Sequence, residues 1–150
     1  MTVPILRYAV LLPLLACSSN EGRPGAEWPY AVAGSDCAPW DGPAFSLTLA
    51  REASSSGEPG YPLLHLNVYH PQDEVLGHTF EFSPTDTQEG GGSYCRAAEA
   101  CVATSEVWIR FEQLKSDSTV AGKYRFTLPD GHHETGSFHA RFAARQAMCG

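Results

Sequence analysis

The chain has 150 residues, 10 Lys and Arg against 17 Asp and Glu, and a formal net charge of −7. That length fits one ordinary domain, which buries about two-thirds of its unfolded surface and so builds a hydrophobic core. The acidic balance excludes a general nucleic-acid binder, which needs surplus Lys and Arg against phosphates, and a charged fraction of 18% excludes a highly charged disordered chain.

In residues 1–17, MTVPILRYAVLLPLLAC, the only charge is Arg7, and it precedes an apolar run over residues 8–16. This is the order of a signal peptide, a charged region followed by an apolar one. A helix over that run spans about 14 Å, against about 30 Å for a bilayer core, so it is too short to remain as a membrane span. Leu14, Leu15 and Ala16 stand directly before Cys17. The segment resembles the lipobox of bacterial lipoproteins. That resemblance implies cleavage after residue 16, diacylglycerol on the Cys17 thiol and acylation of the new amine. At about 0.8 kcal/mol per buried CH₂, two or three acyl chains attach a protein to a membrane effectively for good. The implied location is the bacterial cell envelope, with the membrane as a partner through the N-terminal lipid. Ser18 occupies the position where Asp retains lipoproteins at the inner membrane, which favours the outer membrane in a host that has one.

Residues 18–35 are rich in Ser, Gly and Pro and lack periodicity. They read as a flexible tether, so 17–35 is the lipidated N-terminus and 36–150 the folded domain. Besides Cys17, the chain has Cys37, Cys95, Cys101 and Cys149. An even number in an exported domain reads as disulfides, with three possible connectivities. The favoured pairs are Cys95–Cys101, closing a short loop, and Cys37–Cys149, tying the two ends of the domain. A zinc site needs tighter C-x₂₋₄-C pairs than the C-x₅-C present.

Within the domain, apolar residues recur at period two, the signal of half-buried strands. The sets are Phe45, Leu47 and Leu49; Leu64, Leu66 and Val68; Phe80 and Phe82; and Val107, Ile109 and Phe111. They continue with Val120, Tyr124, Phe126 and Leu128, then Phe138, Ala140 and Phe142. A further strand lies within residues 94–103, and 97–103 is the one stretch open to a helical turn. Turn chemistry occupies 54–60, 83–92, 116–118 and 129–132, and Gly90, Gly91 and Gly92 read as a mobile loop. Seven or eight strands with such turns predict an all-β, antiparallel β-sandwich, with a small barrel or jelly roll as the alternative. In the last hairpin the two apolar sets have even numbers on both strands. Sharing one face therefore requires a loop of odd length or a bulge. The strand pattern at 120–142, with D-C-A-P-W-D-G near the start and M-C-G at the end, looks like bacterial lipoproteins with small β-sandwich domains; the resemblance brings no activity with it.

No hydrolase elbow, zincin helix or phosphate loop is complete: Ser93 lacks a closing Gly, and position 137 is Ser rather than His. No cofactor is implied. Trp108 and Tyr69 have outward parity, where aromatic rings stack on sugars or fill a partner's pocket, and His65 shares that parity. Trp40, beside Cys37, reads as a core plug. Lys123, Arg125, His139 and Arg141 form a basic stripe on the outward face of the last hairpin. The resulting expectation is a lipid-anchored, non-catalytic binding module with an envelope protein or carbohydrate partner. The alternatives are an envelope hydrolase, or a metal-binding lipoprotein using His65, His70, His132, His133 and His139 with carboxylates.

Overall fold

The protein is described from a computed structural model covering residues 28–53, 57–86, 88–115, 117–143 and 147–149. Cys17 and the segment that resembles a lipobox lie outside the described residues. Among those residues the chain is all-β. The strands are β1 (Tyr30–Cys37), β2 (Pro43–Ala50), β3 (Leu63–Val68), β4 (Thr79–Phe82), β5 (Gly90–Cys95), β6 (Cys101–Ala103), β7 (Glu106–Phe111), β8 (Thr119–Thr127) and β9 (His133–Ala143). A single short helix, α1 (Gln72–Val75), joins β3 to β4. The nine strands form one sheet in the order β4-β7-β8-β9-β1-β2-β3-β5-β6. Every neighbouring pair is antiparallel except β1 and β9, which run parallel.

The sheet curls until its halves face each other over one core. Phe45 of β2 meets Phe111 of β7 edge to face at 5.3 Å, and Tyr94 of β5 stacks on Phe126 of β8 at 5.9 Å. The period-two sets of β2, β3, β7 and β8 point into this core, and Phe45, Leu47, Leu49, Leu64, Val68, Ile109 and Val120 are fully buried. Across the open side, Thr104 N–H donates to Gly92 of β5 and Ser105 N–H to Thr127 of β8, so the β6–β7 link straddles both halves. No described helix is long and apolar enough to cross a membrane.

The last hairpin has the required odd loop. Thr127 pairs with His133 and Leu128 N–H bonds the His132 carbonyl, leaving residues 129–131 as the turn. Gly131 supplies the positive φ of 84°. Both favoured disulfides, Cys37–Cys149 and Cys95–Cys101, are formed.

Four expectations are corrected. The tether does not extend to residue 35: Trp28 is in the core and β1 starts at Tyr30, so residues 28–35 belong to the folded domain. β1 lies between β2 and β9, and its short side chains carry little hydropathy signal. They are short because the space is tight: a Cβ on Gly34 would stand 2.9 Å from the Ala143 carbonyl oxygen. Gly90, Gly91 and Gly92 are not a loop but the start of β5, paired with β3. Added Cβ atoms there would strike Phe82, the Tyr69 hydroxyl and Leu66. Residues 97–103 hold a turn and β6, and the helical turn falls at α1 instead. Trp40 is not a core plug: it is 55% exposed and packs edge-on against Tyr69 at 4.9 Å.

Candidate functional site

The three candidate residues fall on the outer surface of the curled sheet, in two places. His65 is on the outer face of β3, opposite Thr48 of β2 and Ser93 of β5. Its Nδ1 is 2.9 Å from the Thr48 hydroxyl. Burial holds the imidazole below its ordinary value, against the opposing pull of Asp36.

Trp108 and Tyr69 line two neighbouring grooves that share Phe82 and Ser83 at the end of β4. The first groove, about 340 Å³, runs along Trp108 and is edged by Glu81, Ser83, Asp86, Glu106 and Arg125. Its central feature is a row set by register: Glu81 of β4 opposes Trp108 of β7, which opposes Arg125 of β8. Directly opposed side chains in a sheet stand about 5 Å apart at Cβ. The half-buried indole is therefore flanked by a carboxylate on one side and a guanidinium on the other. The second groove, about 230 Å³, lies over the glycine start of β5, with Tyr69 and Pro84 on its walls. His65 lines neither groove, so the three residues do not converge on one concavity.

A separate polar cluster sits at the inner end of β8 and β9. The Glu134 carboxylate accepts from Trp28 Nε1 at 2.9 Å, from the Tyr124 hydroxyl at 2.7 Å and from Arg51 at 2.9 Å. The Arg51 guanidinium also lies 3.9 Å above the Trp28 ring. Burial, reinforced by Glu134, raises the Tyr124 phenol above its usual range and keeps it protonated as a donor. Every polar group of this cluster is occupied by another, so it clamps the N-terminal segment to the hairpin.

The histidines disperse. His65 and His139 stand on different strands, and His132 and His133 lie at the last turn. His70 is held between Glu74 and Glu89, each at 3.1 Å. Burial alone lowers its pKa, but the hydrogen bonds and charges of the two glutamates together raise it. Among the described residues, no three His, Cys, Asp or Glu side chains converge on a metal position.

Glu81, Asp86 and Glu106 were not legible as site residues. Period two shows that Glu81 and Glu106 point outward, but nothing local shows that β4 pairs with β7 across the intervening β5 and β6. Comparison of the chain with models of known protein families, with curated proteins and with solved structures finds no match.

Proposed function

We propose that this chain is a lipid-anchored envelope protein whose β domain is a non-catalytic binding module, and that the groove at Trp108 is its ligand site. The row Glu81–Trp108–Arg125 carries the reading: an aromatic plate between an acceptor and a fork of donors. A pyranose ring matches it, with C–H groups on the indole and hydroxyls toward the carboxylate and guanidinium. The sequence Leu14-Leu15-Ala16-Cys17 supports the anchor.

Two measurements test the two halves. Fractionation of cells should find the protein with membranes and the Cys17→Ala variant in the soluble fraction; a variant that stays with membranes overturns the anchor. Titration calorimetry against neutral and N-acetylated oligosaccharides should detect binding. Trp108→Ala should weaken it by about 1–2 kcal/mol, the order of one lost aromatic contact. Equal binding by the variant, or none by the wild type, overturns the groove.

A further inference from the structure

We propose that the outward face of the β8–β9 hairpin is a docking surface for an anionic lipid bilayer. Lys123 and Arg125 on β8, and His133, His139 and Arg141 on β9, share the outward parity and are exposed. Between them stand hydroxyls: Thr119, Thr127, Thr135 and Ser137. The one carboxylate on either strand, Glu134, has the opposite parity and is taken up by the internal clamp. Arg110 of β7 extends the face by opposing Lys123 directly.

Three observations set this face apart from ordinary surface. First, cations on a sheet commonly guard an edge against pairing, but β8 lies between β7 and β9, and β9 between β8 and β1. β9 meets β1 only at residues 141–143, but Lys123 and Arg125 are paired on both sides, and so is Arg141, with Thr119 and Val32, so these three cations have no edge to guard. Second, Arg110 and Lys123 oppose each other as like charges, an unfavourable cross-strand pair that an external anion relieves. Third, among the described residues the ion pairs within 4.0 Å involve Arg51, Arg96 and His70, and none involves Arg110, Lys123, Arg125 or Arg141. Four of the ten Lys and Arg of a chain with net charge −7 are therefore gathered on one face without internal carboxylate partners.

Strand spacing places these charges on three adjacent strands about 10 Å wide, with Lys123 and Arg125 about 7 Å apart along β8. That is within a Debye length at physiological salt, so they act together on one anionic layer. The outward carboxylates Glu81, Glu106 and Glu112 lie on β4, on β7 and just past the end of β7, on the side away from β9, which orients the β9 side toward the lipid. Arg125 also edges the Trp108 groove, but Arg110, Lys123, His139 and Arg141 stand on the open outer side of the curled sheet, which fits a broad charged surface better than a threaded polymer. Arg141 pairs with Val32, so β1 lies directly beside this face. On the anchor reading, roughly 40 Å of extended chain at most separates Cys17 from Trp28, and the face stays within reach of the headgroups. The charge pattern itself does not depend on that anchor.

The test uses the full chain carrying Cys17→Ser, which removes the lipid, mixed with vesicles of phosphatidylcholine alone or with one-third phosphatidylglycerol. Binding to the neutral vesicles reports the apolar N-terminus and should be equal in all variants. Phosphatidylglycerol should raise the bound fraction about tenfold at low salt, and molar salt should cancel the rise. Combined Lys123→Glu, Arg125→Glu and Arg141→Glu should abolish the increment with unchanged circular dichroism. Glu81→Lys, whose fold is not in question at an exposed edge-strand position, should enlarge it. An increment that survives charge reversal, or no increment in the wild type, overturns the proposal. So does binding to dextran sulfate without any response to phosphatidylglycerol, which would assign the face to a soluble polyanion. A failure of the anchor shows instead in the fractionation of Cys17→Ala and leaves these outcomes untouched.

Discussion

Glu134 shows how one side chain draws residue 28 into the folded domain. Its carboxylate is mostly buried, 14% exposed, and bears three donors from three distant parts of the chain. Removing it takes the acceptor from the Tyr124 hydroxyl, one of two acceptors from Trp28 Nε1 and the salt-bridge partner from Arg51. Glu134→Ala should cost about 2–4 kcal/mol in urea unfolding, and Glu134→Gln less, since the amide oxygen still accepts. A change within error for the alanine variant would show that the N-terminal segment is not clamped. None of this was legible beforehand, because Trp28 stands in a stretch of tether composition and its partner lies 106 residues away. Outward parity did identify Trp108 and Tyr69, since period two needs only neighbouring residues. Trp40 was read as a core plug from its nearness to Cys37, but it follows β1 in a turn that leaves the ring outside.

Strands with large alternating side chains were legible, and strands built for close approach were not. β2, β3, β7 and β8 alternate bulky apolar and polar residues, which fixes face and register at once. The first residues of β5 are glycine because Phe82, Tyr69 and Leu66 fill the space that side chains would take, so the pattern disappears where packing is tightest. Gly122 in β8 is the same device. A Cβ there would strike the Arg110 carbonyl oxygen and lie 2.5 Å from Phe138 Cζ. Gly131 has open space around it and is constrained by its φ alone. Gly122→Ala should therefore destabilise by about 2–3 kcal/mol and Gly131→Ala by about 1 kcal/mol, measured as thermal midpoints. The opposite ranking would mean that β7 and β9 yield easily around β8.

For the whole molecule, the disulfides were readable from the even number of cysteines and their places in the chain, and the sheet order was not. Cys37–Cys149 spans 112 residues and Cys95–Cys101 spans 6. In the chain-entropy account they contribute about 4–5 and 2 kcal/mol. Replacing Cys37 and Cys149 together with Ser should lower the urea midpoint more than replacing Cys95 and Cys101; equal losses would place the stabilisation in local contacts instead. Parallel contact between β1 and β9 leaves no trace in composition or spacing, since it joins residues such as Val32 and Arg141 that share no local pattern. It does impose a timetable. The ribosome makes β1 early and β9 last, yet they are immediate neighbours in the middle of the sheet. The seam between the two halves cannot close until β9 has emerged, more than a hundred residues after β1 begins, and such high contact order makes folding slow.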